Sequence, residues 1–265
     1  MGTYRKNGVV AYSLKIGEYV VNYKEADKKV EVIKNGTIEE KPNGSTVSGP
    51  TMTAPSEADT HKGIVYLDPT DLNKTCNASN SVSTTETKEG CMKWYIFDDS
   101  GNNYTMLLDH NTTARIKWND ANINVSYESS NLKSVVDDLV TTNKWKLSPR
   151  LITAAEVNII TGKTDFDSNS TNSWYYLDGN NQTQTATSKG ASKYAWLFDY
   201  TKECTIYGCN IEDSSTEGYW TSTPTASSSS GVWFVSSHGT LGVNNVFSTL
   251  YGVRPVITVS KSVIS

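Results

Sequence analysis

Apolar and polar residues alternate in several stretches of the chain, as they do in half-buried β-strands. Near the N-terminus the alternation covers residues 9–34, on both sides of a turn rich in Lys, Glu and Asp, and predicts a β-hairpin. Residues 35–60 are rich in Gly, Pro, Ser and Thr and predict a linker. Two further apolar runs, 93–97 and 104–108, flank the polar turn 98–103, and this arrangement predicts a second hairpin.

Two stretches have helical spacing instead. In the first, apolar residues recur between positions 132 and 140 behind Ser129 or Ser130 as a cap. In the second, Ser148 is the expected N-cap, Pro149 takes the first helical position, and Gly162 ends the helix. The buried stripe of this second helix is predicted to consist of Leu151, Ile152, Ala155, Ile159 and Ile160.

Beyond residue 163 the chain returns to short apolar runs separated by loops. These predicted strands are 174–177, 194–200, 219–221, 232–235 and 253–259. Strands therefore precede and follow two helices, without the alternating crossovers of a parallel sheet. We expect a loop-rich α+β fold with antiparallel sheets, in which residues 1–60 form a hairpin arm and linker and residues 61–265 form one domain.

Composition narrows the class of protein. Of the 265 residues 20% are charged, the net charge is −4, and the basic residues are scattered, so nucleic-acid binding is not expected. The sequence has no apolar run of the length of a membrane-spanning helix. The chain holds 7 Trp, 15 Tyr and 5 Phe beside many Ser, Thr and Asn, a composition found in recognition surfaces and equally in β-rich cores.

The four cysteines stand as two local pairs, Cys76 with Cys91 and Cys204 with Cys209. Two local disulfides are the simplest interpretation, although four cysteines allow three connectivities. Zinc would need further ligands, and no histidine lies at metal-site spacing from a cysteine. Disulfides predict an oxidising location, outside the cell or at its surface.

The C-terminal third carries the motifs GYWTSTP at 218–224, VWFV at 232–235, GTL at 239–241 and GVRPVI at 252–257. This stretch resembles the C-type-lectin-like domain of the group that includes formylglycine-generating-type domains and the variable proteins of diversity-generating retroelements. It is most similar to bacterial surface proteins, often pilin-like, and the resemblance covers residues 61–265. It implies a secreted or surface-displayed module, without a cofactor, whose C-terminal loops bind a protein or surface polymer.

Between the apolar anchors of these strands lie small and polar residues with no visible packing task. By themselves they fit ordinary solvent-facing loops or binding loops on a rigid frame, and the resemblance implies the second. The implied contacts are Ser229, Ser236, His238, Thr240, Asn244, Asn245, Phe247, Thr249 and Tyr251. Trp220, Trp233 and Arg254 are assigned to the scaffold. Because Pro255 removes a backbone donor, Arg254 is expected to be a structural guanidinium that ties several carbonyls together.

Other functions fit the residues less well. A formylglycine-generating enzyme would need reactive cysteines near the C-terminus, and no cysteine follows Cys209. A hydrolase would rest on His238 beside Ser236 or Ser237, but the Gly-x-Ser-x-Gly elbow is missing. We therefore expect no enzymatic activity. A pilin or adhesin subunit that binds copies of itself is the alternative, in which the first 60 residues would matter most.

Metal binding has one weak candidate. Asp165, Asp167 and Asn169 place oxygen atoms at alternate positions, as in a calcium loop, but the Gly and Glu of the EF-hand pattern are replaced by Ser170 and Tyr176. The sequence 118–120, Trp-Asn-Asp, matches part of a C-type lectin calcium motif but lies ahead of both helices. The sequence therefore predicts no metal site.

Overall fold

A computed structural model gives the fold of this chain. It describes residues 2–6, 9–16, 19–24, 29–34, 37–41, 49–57, 59–82, 86–113, 115–163, 166–169, 174–175, 194, 196–197, 217–236 and 240–264. Backbone contacts divide the chain into two units, Met1–Val47 and Ser48–Ser265. This boundary falls within the stretch 35–60 that the sequence assigns to a linker.

The first unit holds a five-stranded antiparallel sheet in which each strand pairs with the next along the chain. Its strands are β1 (Gly2–Lys6), β2 (Val9–Ile16), β3 (Tyr19–Lys24), β4 (Lys29–Lys34) and β5 (Thr37–Lys41). The predicted hairpin is therefore part of a larger sheet. The linker prediction is wrong for residues 37–41, because they form β5 and pair with β4, with Ile38 opposite Ile33.

The second unit contains a six-stranded sheet with antiparallel neighbours throughout. Its order is β10-β16-β9-β8-β7-β6. The strands are β6 (Thr51–Thr53), β7 (Gly63–Leu67), β8 (Met92–Asp98), β9 (Asn103–Leu108), β10 (Arg150–Leu151) and β16 (Pro255–Ser260). The second predicted hairpin is confirmed as β8–β9, with Trp94 opposite Leu108. The C-terminal strand β16 pairs with β9, so that β9 lies between β8 and β16 in the sheet.

A second sheet in the same unit has the order β11-β14-β13-β12-β15. Its strands are β11 (Trp174–Tyr175), β12 (Gly218–Pro224), β13 (Gly231–Ser236), β14 (Thr240–Asn245) and β15 (Tyr251–Gly252). Strand β14 is not among the predicted strands, and it pairs with β13 along six residue pairs although Gly and Asn have low strand propensity. Of the expected strand 194–200, residues 194, 196 and 197 lie in turns, and the others lie outside the described residues. The β12–β15 pair is parallel.

Helix α1 (Asn131–Thr141) forms where the sequence predicts it. The Ser130 hydroxyl accepts a hydrogen bond from the Lys133 amide and so caps the first turn. Val140 lies at the edge of the apolar stripe and is 38% exposed. The residues that bury the helix are Leu132, Val136 and Leu139.

Helix α2 (Ala154–Ile160) begins later than the sequence predicts, with Thr153 rather than Ser148 as its N-cap. The Thr153 hydroxyl accepts from the Glu156 amide, and the Glu156 carboxylate accepts from the Thr153 amide. This capping box fixes the start, because the preceding residues pair with β16 as β10. In so short a helix Ile159 is 71% exposed rather than part of the buried stripe.

Two helices and mainly antiparallel sheets confirm the α+β class. The apolar core lies in three clusters, one between the two sheets, one on the other face of the six-stranded sheet, and one between α1 and the second sheet. Their largest fully buried side chains include Trp94, Trp118, Trp220 and Trp233. Within the described part of the chain, no helix is long and apolar enough to span a membrane.

Arg254 is fully buried in this core, just before β16. Its Nε donates to the Leu108 carbonyl at 2.5 Å, Nη1 to Leu197 at 3.1 Å and Nη2 to Trp196 at 2.7 Å. The guanidinium carbon also lies 5.1 Å from the centre of the Tyr219 ring. One side chain therefore fixes the end of β9, the 196–197 turn and the start of β16 together, which is the geometry expected of a structural arginine.

The disulfide between Cys76 and Cys91 is confirmed, with 5.4 Å between their Cα atoms. Both residues are buried. The bridge joins the loop after β7 to the start of β8. The second expected pair, Cys204 with Cys209, lies outside the described residues.

Replacing both Cys76 and Cys91 with serine is expected to lower the free energy of unfolding by about 2–3 kcal/mol, because the open chain of 15 residues gains conformational freedom when unfolded. Urea unfolding without reductant measures the loss. Adding dithiothreitol to the variant is the control, since it isolates any effect of the other two cysteines. Equal stability of variant and parent would show that the bridge does not constrain the unfolded chain.

Candidate functional site

Three chain segments, 115–124, 226–230 and 245–250, lie side by side next to the second sheet. The Val246 amide donates to the Ser230 carbonyl at 2.9 Å, and the Trp118 amide donates to the Val246 carbonyl at 2.9 Å. Backbone hydrogen bonds thus join all three segments. We call the exposed surface of these segments the loop face.

Asn124 holds the 226–230 loop in place. Its side-chain nitrogen lies 2.6–2.9 Å from the carbonyls of Thr225, Ser228 and Gly231. Its own amide donates to the Ser229 carbonyl at 2.7 Å. A loop of four serines with no apolar anchor of its own is therefore held largely by Asn124, together with the bonds from the Ala226 amide to the Ser168 carbonyl and from the Val246 amide to the Ser230 carbonyl.

Asn245, in segment 245–250, forms hydrogen bonds to both of the other segments. Its side-chain nitrogen lies 3.2 Å from Asn122 Oδ1 and 3.3 Å from Ser230 Oγ, while its Oδ1 accepts from the Phe247 amide at 2.9 Å. This network presents apolar groups at the surface: Phe247 is 40% exposed, and Ile123, the neighbour of Asn122, is 52% exposed. The loop face therefore combines fixed amides with accessible apolar side chains.

Two cations complete the loop face. Arg115 Nε donates to the Thr249 carbonyl at 2.8 Å, and Lys117 Nζ lies 5.3 Å from the centre of the Phe247 ring. Both side chains belong to exposed residues. The contact of a lysine with an aromatic face is attractive, but in water it is weak.

Three packed aromatic residues, Trp220, Phe234 and Tyr251, form an aromatic layer beneath the loop face. Tyr251 stacks on Phe234 with 4.1 Å between ring centres and meets Trp220 edge-on at 4.7 Å. Trp220 Nε1 donates to the Ile116 carbonyl at 2.8 Å, and Asn244 Nδ2 donates to the Tyr251 hydroxyl at 2.7 Å. Burial raises the pKa of Tyr251 to about 12, so the phenol is neutral at physiological pH.

The structure separates the expected ligand contacts into groups. The exposed ones are Ser229, Asn245, Phe247 and Thr249. Asn244 is half-buried and bonded to Tyr251, and His238 lies outside the described residues. The expectation of ligand contact does not fit Ser236, Thr240 or Tyr251, because all three are buried. Ser236 and Thr240 form a cross-strand pair of β13 and β14.

Segment 115–124 was not among the expected contacts, although it supplies both cations and Ile123. Its one sequence signal is the Trp-Asn-Asp motif at 118–120. Trp118 is fully buried and its Nε1 donates to the Thr221 carbonyl at 3.2 Å. Asn119 Nδ2 donates to the Ile123 carbonyl at 3.1 Å. The buried Trp118 and the Asn119 side chain therefore stabilise the conformation of segment 115–124.

The weak calcium candidate is only partly described. Asp165 lies outside the described residues, and the Asp167 carboxylate accepts from both the amide and the side-chain nitrogen of Asn169 at 2.9 Å. The Asn169 amide nitrogen thus faces the carboxylate. Within the ranges that the structure describes, no group of three or more His, Cys, Asp and Glu residues is placed to share a metal ion.

The two described histidines are buried in the scaffold. His110 Nδ1 lies 3.1 Å from the Asp109 carboxylate and its Nε2 lies 3.1 Å from the Thr87 carbonyl. His61 Nδ1 accepts from the Gly63 amide at 3.2 Å, and burial lowers the pKa of the His61 imidazole. Both rings stabilise loops beside the six-stranded sheet.

Comparison with known proteins gives one match. The model of the family described as "Domain of unknown function (DUF6273)" matches residues 102–261, more than half of the chain. The chain belongs to the DUF6273 family. The DUF6273 match includes both helices and the whole loop face, whereas β6, β7, β8 and the first unit precede it. No curated protein and no solved structure matches the chain.

Proposed function

We propose that this DUF6273 protein is a secreted or surface-displayed binding module with a C-type-lectin-like fold, whose loop face contacts a protein or surface-polymer ligand. The observation that carries the proposal is the loop face itself. Three chain segments joined by hydrogen bonds hold amides in fixed positions and bring an exposed aromatic ring and two cations together beside them.

The fixed geometry favours binding over an ordinary solvent-facing role. Ordering loops and long side chains on association reduces affinity, and a surface that is already ordered avoids most of that loss. In the loop face the Phe247 amide is bonded to Asn245, and the 226–230 loop is bonded to Asn124. Loops fixed on a strand scaffold are a common way to present a binding site.

The resemblance in the C-terminal motifs and the disulfide support the remaining parts of the proposal. Two helices beside antiparallel sheets are consistent with a C-type-lectin-like arrangement. The Cys76–Cys91 bridge favours an oxidising compartment, and therefore secretion or surface display.

Replacing Phe247 with alanine is expected to weaken ligand binding at least about tenfold, because exposed aromatic side chains at the centre of an interface contribute most of its affinity. The ligands are obtained by screening the purified protein against a random-peptide phage library and a glycan array, and their dissociation constants are then measured by fluorescence polarisation.

Ile159→Ala is the matched control, since it removes another exposed apolar side chain, on α2 and outside the loop face. Its binding should stay within about twofold of the parent, as for surface sites without a contact. Ligands that bind Phe247→Ala and Asn245→Ala as tightly as the parent would place the binding site elsewhere and remove the proposal.

A further inference from the structure

The two cations of the loop face have no acidic partner among the described residues. Arg115 Nε donates to the Thr249 carbonyl, Lys117 Nζ lies over the Phe247 ring, and both residues are exposed. Of the other cations of this unit, exposed lysines such as Lys62 and Lys146 form no ion pair within the described residues, and four cations are paired with a carboxylate. Those ion pairs are Lys74 with Asp68, Lys133 with Asp137, Arg150 with Glu156 and Lys261 with Asp99.

Local contacts place both cations beside one short stretch of the chain. The Ile116 amide donates to the Tyr251 carbonyl at 2.9 Å and the Trp118 amide to the Val246 carbonyl at 2.9 Å. The start of the segment is therefore held by the half-buried Ile116 and the buried Trp118, while Arg115 and Lys117 are exposed. Arg115 contacts Thr249 and Lys117 contacts Phe247, so both charges lie beside the same short stretch and can act on one ligand.

Two carboxylates lie in or near this segment, and neither pairs with these cations. Asp120 belongs to segment 115–124 and is exposed, and its amide donates to Asn131 Oδ1. The Glu217 amide donates to the Leu250 carbonyl, next to the end of the loop face. Neither side chain forms an ion pair within 4.0 Å of Arg115 or Lys117 in the described structure. The three segments of the loop face therefore carry two cations and one carboxylate, that of Asp120, in a chain whose net charge is −4.

We infer that the loop face binds an acidic peptide segment of a partner protein. The carboxylates of that segment pair with Arg115 and Lys117, and an apolar side chain beside them packs on Phe247 and Ile123. This inference rests on the proposed function and adds the chemistry of the ligand.

The apolar groups favour a peptide over an acidic polysaccharide. A sugar ring packs against a flat aromatic face, but Ile123 is aliphatic and 52% exposed, and its burial is best achieved by another apolar side chain. Aromatic residues and arginine are also the residue types enriched at protein interfaces. Complementary charge around such an apolar contact gives specificity and fast association.

The test uses the full chain and dodecapeptides selected on it from a random phage library, synthesised with a fluorescent label. We expect the selected peptides to carry two or more Asp or Glu residues next to a large apolar residue. Their dissociation constants should rise about tenfold between about 50 and 300 mM NaCl, because exposed ion pairs are screened by salt.

Charge removal at the two cations is the decisive variant. The double variant Arg115→Gln with Lys117→Gln is expected to bind the peptides at least about tenfold more weakly and with less salt dependence. The matched control, Lys62→Gln with Lys146→Gln, removes two exposed charges outside the loop face and should stay within about twofold. Lys117→Glu alone is a second variant that should also weaken binding, because the Lys117 side chain forms no hydrogen bond within the described residues and only its charge changes sign.

The outcomes separate this inference from the proposed function. Peptides that lose affinity with Phe247→Ala but bind the double charge variant normally would overturn the acidic ligand and leave the loop face as the binding site. Binding that no change in the loop face affects would overturn both. Failure to select peptides, with polygalacturonate bound in an Arg115- and Lys117-dependent way, would identify the ligand as an acidic polysaccharide and overturn the inference.

Discussion

Replacing Arg254 with lysine is expected to lower the free energy of unfolding by about 4 kcal/mol. The guanidinium is fully buried and satisfies the carbonyls of Leu108, Trp196 and Leu197 from three different nitrogens. A lysine has one nitrogen on a flexible stem, and it cannot reach carbonyls that lie on both sides of a planar fork. The variant leaves buried carbonyls unpaired and a charge without its full set of acceptors.

Arg115→Lys is the matched control for this prediction. It makes the same exchange at an exposed arginine with one backbone carbonyl as partner, and it should change the free energy of unfolding by less than about 0.5 kcal/mol. Urea unfolding of the two variants and the parent measures both effects. If Arg254→Lys loses less than about 1 kcal/mol, the three hydrogen bonds contribute little and the arginine is not structural.

Features set by local sequence were predictable. The apolar spacing of α1, the β8–β9 hairpin and the Cys76–Cys91 pair each depend on residues within one short stretch, and all three were predicted correctly. The start of α2 was not, because two competing signals stand close together. Pro149 after Ser148 favours an early start, but the capping box of Thr153 and Glu156 prevails once β10 has paired with β16.

The candidate site was predictable only in part, because it is assembled from distant segments. Asn124 reaches the Gly231 carbonyl across 107 residues of sequence, and Arg254 reaches Leu108 across 146. The spacing of apolar residues indicates which side of one stretch is buried, but it does not indicate which distant stretches contact each other. For that reason the exposed loop residues near the C-terminus were expected, whereas Arg115 and Lys117 were missed and the buried Ser236, Thr240 and Tyr251 were included.

The position of segment 115–124 depends on a close backbone approach at Gly252, between Tyr251 of the aromatic layer and Val253. A Cβ atom added to Gly252 would lie 2.4 Å from the Thr113 carbonyl oxygen and 2.6 Å from Asn111 Nδ2. The Thr113 carbonyl cannot move freely, because it accepts a hydrogen bond from the Val253 amide at 2.9 Å. The chain that leads into the loop face is therefore in direct contact with β15.

Gly252→Ala is accordingly expected to lower the free energy of unfolding by about 3–4 kcal/mol, since overpacking against a fixed backbone carbonyl forces strands apart. Gly162→Ala is the comparison, because its φ of 75° makes alanine unfavourable while no heavy atom of the described residues lies within 4 Å of the added Cβ. It should lose about 1 kcal/mol, the conformational term alone.

The variants Gly252→Ala and Gly162→Ala also test whether the backbone around β15 affects peptide binding. The Ile116 amide donates to Tyr251, the residue before Gly252, so a shift that relieves the clash also moves Arg115 and Lys117 away from Phe247. If the Gly252→Ala variant still folds, it should bind the selected peptides several-fold more weakly than the parent. The Gly162→Ala variant should bind them with the affinity of the parent. Similar stability losses in the two variants would mean that the backbone around Gly252 relaxes easily. Unchanged peptide binding in a destabilised Gly252→Ala would mean that the loop face keeps its geometry independently of β15.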